Sequence, residues 1–283
     1  MKPTLAAHQP DWQQIQTEIC QIAGATAASD PNTNFQTLLQ GKRVAVVGPA
    51  RTLIGSGLGE FIDSHDIVVR FNDAFQQLPI ASALSADIGT RCDILYCNQV
   101  ILKKDIVLAQ GISHSRLTRI CREPGIQFFV CTNNSLDFQE SGAPNRKCPG
   151  NERQVSAEFK ALCARLGIAS EFRTVHAASD AIMRWMKGQC GRTGFVALVD
   201  LLHFNIGHMY VAGMTFYHGG GHLLSPELTE LHPLKNRDGS WAKDTRGLGH
   251  DSFVELKIMK MIAETLADKL TFDQPLAALL DRV

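Results

Sequence analysis

The sequence has no charge excess: 28 basic residues balance 28 acidic ones over 283 positions. Nucleic-acid binders carry a basic surplus or a basic stripe. No such run is present, so nucleic acid is not expected as a partner. A local basic patch toward a membrane surface or an anionic substrate remains compatible with the balance. No apolar run approaches the roughly 18–20 residues of a membrane span. At the N-terminus, Lys2 is followed by no apolar core, unlike a secretory signal peptide. Two origins fit: a cytoplasmic protein, with peripheral contact at the inner membrane surface left open, or a chain whose targeting segment has been removed. The eight cysteines form no CxxC pair and no zinc pattern. Reduced, mostly buried thiols are expected, and a disulfide within some pair stays open. Also missing are GxGxxG, GxxxxGK[ST] and any Asp-x-Asp triplet of the kind that holds a metal–nucleotide.

What is present is an alternation of short apolar runs and helical patterns. Trp12, Ile15, Ile19 and Ile22 recur at spacings of three and four, an amphipathic helix over 11–24. A polar stretch with Pro31 follows. Val44–Val47 then ends at Gly48-Pro49, and Ile67–Phe71, Ile94–Tyr96, Phe128–Val130 and His208–Ala212 are similar runs. Runs of this length suit buried strands. Helices are expected over 157–166, 178–187 (with Ser179 as a cap), 195–204 and 252–270. Strands alternating with helices predict an α/β fold with a mostly parallel central sheet flanked by helices. The domain division expected is an N-terminal helix and linker over 1–40, then one domain over 41–283. The segments 133–155 and 217–249 read as long loops, which in compact domains are often functional.

Three constellations have chemical potential, each with a plain structural reading beside it. The loop after Val47, Gly55-Ser56-Gly57-Leu58-Gly59, either lets backbone amides approach a phosphate or is an ordinary turn. Gly191-Arg192-Thr193-Gly194 opens an apolar helix. Its N-terminus is a ready phosphate site, or Thr193 simply caps it. In His250-Asp251-Ser252-Phe253-Val254-Glu255, Ser252 and Glu255 fit a capping box. His250 beside that helix start has its charged form disfavoured and suits a general base, or is a structural histidine. His218 and His222 in a glycine loop are too few ligands for a metal. Asp200, on the apolar helix, reads as a buried, hydrogen-bonded carboxylate.

In order along the chain, these segments resemble the animal-type sialyltransferase family (glycosyltransferase family 29-like). The large motif is matched by VAVVGPARTLIGSGLGEFIDSHDIVVRFNDA with SADIGTRCD, and most specifically by Asp63 to Asn72. The small motif is matched by RTGFVALVDLLHFNIGHMYVAG, and the very small motif, His-x4-Glu, by His250 and Glu255. The resemblance implies a single GT-A-like variant (Rossmann-like) domain and an inverting transfer from a CMP-sugar donor to a glycan or glycolipid acceptor. It implies neither metal nor other cofactor. By the match, Gly48, Ser56, Gly57, Asn72, Thr193 and Gly194 would hold the donor. His250 would be the general base, Glu255 would support the helix start, and His232 would assist the phosphate.

The chain also departs from the family. Pro49-Ala50 replace an Asn-Ser pair, which opens CMP-Kdo as an alternative to CMP-sialic acid. Asn205 stands near the small-motif cysteine position, and the large-motif cysteine near Val44 is absent. Loss of both disulfide partners suits a reducing compartment. A non-catalytic nucleotide- or glycan-binding relative is the remaining reading.

Overall fold

The computed structural model describes residues 10–24, 32–72, 84–97, 125–132, 171–175, 177–186, 191–216, 218 and 251–283, with isolated positions 157, 160, 161, 164 and 169. The five apolar runs are strands: β1 (Arg43–Val47), β2 (Ile67–Phe71), β3 (Ile94–Cys97), β4 (Phe128–Cys131) and β6 (His208–Ala212). Two more were not legible: β5 (Glu171–Thr174) and β7 (Leu270–Phe272). They are the end strands of the order β5-β4-β3-β2-β1-β6-β7. Each is bonded to one neighbour only and is less buried than the central strands, so neither needs a continuous apolar run.

All six pairings are parallel. Along β1 the side chains alternate between faces. Val44 and Val46 join the larger core, while Ala45 and Val47 join a smaller one with Leu53, Ile62, Val68 and Ile88. The order runs outward from β1 on one side and from β6 on the other, so the topological switch lies between these two strands. In open parallel sheets, ligands bind beyond the carboxyl ends at such a point.

The larger core also receives Ile15 and Ile19 from α1 (Trp12–Gly24), and Phe35 and Leu39 from α2 (Thr33–Leu39). No periodic pattern announces the short α2. Asn32 caps it, its side chain accepting from the Phe35 N–H at 3.0 Å. The smaller core is covered by α3 (Gly59–Asp63) and α4 (Ser85–Ile88). Helix α5 (Ala177–Trp185) starts one residue before the expected 178–187 span and ends two residues short of it, and Ser179 is not its cap. That hydroxyl donates to the Thr132 carbonyl at 3.1 Å, tying α5 to the end of β4. Helix α6 (Thr193–Leu201) is the apolar helix, buried nearly all round.

The closing segment is not one helix. It is α7 (Ser252–Thr265), then β7, then α8 (Gln274–Leu280). Thr265 back-bonds to the Met261 carbonyl, and the Lys269 N–H turns onto the Leu266 carbonyl, which ends the helical ladder. Leu270 to Phe272 then extend beside β6, and Asp273 caps α8. Positions 157, 160, 161 and 164 of the expected 157–166 helix are helical; its other residues, the 133–155 loop and, His218 apart, the 217–249 loop lie outside the described residues.

Candidate functional site

Helix α6 begins at the carboxyl edge of the sheet. Its N-cap, Arg192, makes no side-chain cap bond, and Thr193 is its first residue. The Thr193 hydroxyl is therefore not a cap. It accepts from Asn72 Nδ2 at 3.2 Å. Asn72 follows β2 with φ of 45°, a left-handed conformation that asparagine tolerates better than most side chains. Its own N–H donates to the Tyr96 carbonyl at 2.7 Å, fixing it beside the end of β3. Gly194 brings the helix down on β2. A Cβ there would stand 3.0 Å from Met214 Cε and 3.2 Å from the Phe71 ring. The end of β2 and the start of α6 thus form one locus. The first N–H groups of a helix have no intrahelical acceptor and carry partial positive charge.

A second helix start is tied to the first. Asp251 caps α7, its Oδ1 accepting from the Phe253 and Val254 N–H groups, each at 3.1 Å. The capping box expected from Ser252 and Glu255 does not form. Ser252 is already the first helical residue, so Glu255 lies one position too far along to reach back to its own cap. Glu255 is wholly buried. Its Oε1 accepts from the Arg192 N–H at 2.7 Å, and its Oε2 from Arg192 Nη1. Arg192 Nη2 donates to the Ser252 hydroxyl at 2.7 Å. Glu255 therefore does support a helix start, but that of α6. His250 directly precedes Asp251 in sequence. His250, His232 and His222 lie outside the described residues.

The glycine loop does not offer the open cradle expected of Gly48, Ser56 and Gly57. The Gly48 and Ala50 N–H groups donate to the Ala212 and Gly213 carbonyls, and that of Ser56 to Leu53. Those of Gly55 and Gly57 donate to the two oxygens of Asp87, at 2.8 and 2.9 Å. These two bonds hold the Asp87 carboxyl below the usual range. The concave amide loop is real, but its anion is a side chain of the same protein. Gly48 is required for a different reason. A Cβ there would sit 2.2 Å from the Gly213 carbonyl oxygen, where the ends of β1 and β6 meet.

The charged residues of the large motif form a structural network that the sequence did not reveal. Asp63 accepts from the Thr90 N–H and hydroxyl, both at 2.8 Å, and from the Arg91 N–H at 3.1 Å. The Arg91 guanidinium donates to the carbonyls of Asp63, His65 and Asp66 and to the Asp93 carboxylate. Buried Arg70 donates to the Arg91 carbonyl at 2.8 Å. His65 is buried against Tyr210 and Phe61, and burial lowers its pKa. The available signal was the presence of charge beside strands that are otherwise wholly apolar. Asp200 is as anticipated. It is buried, accepts from Tyr96 Oη at 2.7 Å, and pairs with both terminal nitrogens of Arg173. Among the described residues, no group of three or more His, Cys, Asp or Glu is placed to hold a metal ion. No described helix is long and apolar enough to cross a membrane.

The family model "Glycosyltransferase family 29 (sialyltransferase)" matches residues 5–139. Over this interval the chain is similar to the family 29 sialyltransferases. "Sialyltransferase-like protein 2" of Oryza sativa subsp. indica is 28% identical over 152 residues, 50% of this chain and 36% of that protein. "Sialyltransferase-like protein 3" of the same source is 30% identical over 132 residues, 43% of this chain and 33% of that protein. The chain thus spans about a third of the length of these relatives. Among solved structures, a mammalian sialyltransferase in complex with Gal-beta-1-3GalNAc-ortho-nitrophenol aligns over 94% of this chain and 80% of its own, at 17% identity and a TM-score of 0.46. The interval matched to family 29 holds the whole large motif, including Asn72 and the Asp63–Arg91 network. The starts of α6 and α7 lie beyond it, so their link to the family rests on the motif residues themselves.

Proposed function

We propose that this chain is an inverting glycosyltransferase that transfers sialic acid from CMP-sialic acid to a hydroxyl of a glycan or glycolipid. One observation carries the reading: Asn72, within the segment matched to family 29, is bonded to Thr193 at the start of α6. Two motifs far apart in sequence meet at the carboxyl edge of the sheet, where such folds bind nucleotides.

In this reading the donor phosphate lies at the first N–H groups of α6, with the Thr193 hydroxyl and the Asn72 amide beside it. His250 accepts the acceptor hydroxyl proton. The freed oxygen bonds to the anomeric carbon from the face opposite the phosphate as the carbon–oxygen bond to CMP breaks, which inverts that centre. CMP leaves with the bonding pair, its charge met by helix-terminus dipoles and, in this proposal, by His232. No step calls for a metal ion. Gly48, Ser56 and Gly57 shape the scaffold under this site rather than hold the donor.

Transfer from CMP-Kdo is the second reading, and one observation favours it. Where the family has Asn-Ser, Pro49 has no N–H, and that of Ala50 is bonded to the Gly213 carbonyl at 3.0 Å. The decisive experiment offers each CMP-sugar separately, with and without EDTA, and follows CMP release. Turnover of CMP-sialic acid that survives EDTA supports the proposal. Turnover of CMP-Kdo alone selects the second reading. No turnover of either donor and no binding of CMP overturns both. His250→Ala should abolish transfer while leaving CMP binding nearly intact.

A further inference from the structure

The two helix starts are joined by a clamp that no motif residue explains alone. Arg192 reaches from the N-cap of α6 to the first turn of α7. Its backbone N–H and Nη1 engage Glu255, and Nη2 engages the Ser252 hydroxyl. Glu255 is wholly buried, and the Arg192 side chain is 12% exposed. The ion pair is thus largely withdrawn from solvent and little screened. A guanidinium fork satisfied on both prongs, with the backbone N–H of the same residue held by the same carboxylate, fixes position and orientation together.

This geometry distributes tasks. One end of the clamp precedes Thr193 directly. The other is the first turn of α7, whose cap, Asp251, follows His250 in sequence. We infer that Arg192 and Glu255 are positioning residues that hold the first turn of α7, which follows His250 in sequence, in register with the nucleotide-binding start of α6. This inference rests on the proposed transfer reaction. Neither residue exchanges a proton with substrate. Their action is to keep the acceptor-side base aligned with the donor, and alignment is a large part of the rate of a two-substrate transfer.

The test must separate alignment from stability, because cutting one partner strands a buried charge. The double variant Arg192→Met/Glu255→Met replaces the pair with apolar side chains of similar length, a change that is often neutral for folding. Wild type and variant are compared for thermal midpoint, CMP affinity by calorimetry, and donor turnover. The expected result is a near wild-type midpoint, CMP affinity within about threefold, and kcat lowered about tenfold or more. Glu255→Gln keeps the volume and an acceptor for the Arg192 N–H, and gives the same readout should the double variant fail to fold. A folded variant with unchanged kcat overturns the clamp while leaving the transferase reading intact. So does a parallel fall of kcat, CMP affinity and midpoint, which marks a merely structural pair. A wild-type protein that turns over neither CMP-sugar overturns the reading and the inference with it.

Discussion

Removing the Asp200 carboxylate should destabilise the fold by an amount the structure allows to be bounded. Arg173, on β5, has an 8% exposed side chain and donates to Asp200 at 2.6 and 3.0 Å. Its guanidinium also lies over Phe35 and Phe204, 4.5 and 5.2 Å from the ring centroids. In Asp200→Ala the stacking survives, but the guanidinium loses both charged bonds in a nearly dry site. Breaking a buried pair in this way costs about 3–5 kcal/mol. For a chain of this size that is a fall of roughly 6–20 °C in midpoint. Tyr96→Phe removes one bond from a carboxylate that keeps its arginine, and should cost about 1 kcal/mol. Arg173→Met/Asp200→Leu, with both charges gone, should be within about 1–2 kcal/mol of wild type. The assay is urea unfolding followed by tryptophan fluorescence. The reasoning fails if Asp200→Ala costs less than about 1 kcal/mol, or if the double variant is no more stable than the worse single one. Asp200 lies two turns along α6 from Arg192, about 12 Å. At that separation the double variant here and Arg192→Met/Glu255→Met should combine additively within about 0.5 kcal/mol.

Three further outcomes are expected. Asn72→Gly keeps the left-handed backbone but deletes the amide, so CMP affinity measured by calorimetry should fall about tenfold with little change in stability, and Asn72→Ala should add about 1 kcal/mol of strain to the same loss. Wild-type affinity in Asn72→Gly would remove Asn72 from the donor site. The Asp87 carboxyl is held below its ordinary range by the Gly55 and Gly57 N–H groups. Its stabilisation is therefore present above the usual aspartate value of about 3.9 and lost as pH falls through the lower native value. Asp87→Asn should flatten that limb of an acid-unfolding curve, and an unchanged curve would refute the loop assignment. Burial lowers the His65 pKa, so the neutral ring contributes stability above about pH 6.5 that is lost as pH falls through the native value. His65→Gln should make the thermal midpoint less dependent on pH between about 5 and 7, whereas an identical profile would show that the ring does not titrate on unfolding.

The central fold was legible because a parallel sheet covered on both faces writes itself as apolar runs. Val44–Val47 and Ile67–Phe71 could be little else. The end strands were not legible, since Glu171–Thr174 has Phe172 as its single apolar residue and Leu270–Phe272 is only three residues long. The site was half legible. Sequence brought Asn72, Thr193 and Gly194 to one locus through a family resemblance, and the structure gives Asn72 and Thr193 a bond. Local pattern misread Glu255, because a serine three residues before a glutamate has the same spelling whether or not the serine is the cap. Only the coordinates show Asp251 in that role and the carboxylate turned to another helix.

The large motif illustrates why a segment can identify a family without showing its chemistry. Glycines near a strand end suggest a phosphate, yet the Gly55 and Gly57 amides are satisfied by Asp87. Asp63, Arg70 and Arg91, charged residues of the same motif, bond largely to backbone groups of the turns between α3 and β3. A charge that satisfies several backbone groups at once can hardly be replaced singly, since each substitution strands partners of the opposite polarity. That accounts for a recognisable spelling in a segment with so little direct chemistry. The network fixes the turns flanking β2, and β2 ends just before Asn72, which is bonded to the α6 start. Precision at Asn72 is therefore the product of the whole motif. Loosening the Asp63–Arg91 contact, as in Asp63→Asn, should lower CMP affinity without any change to a residue of the nucleotide locus. Equal affinity in a folded Asp63→Asn variant would show that Asn72 is held in place without the Asp63–Arg91 contact.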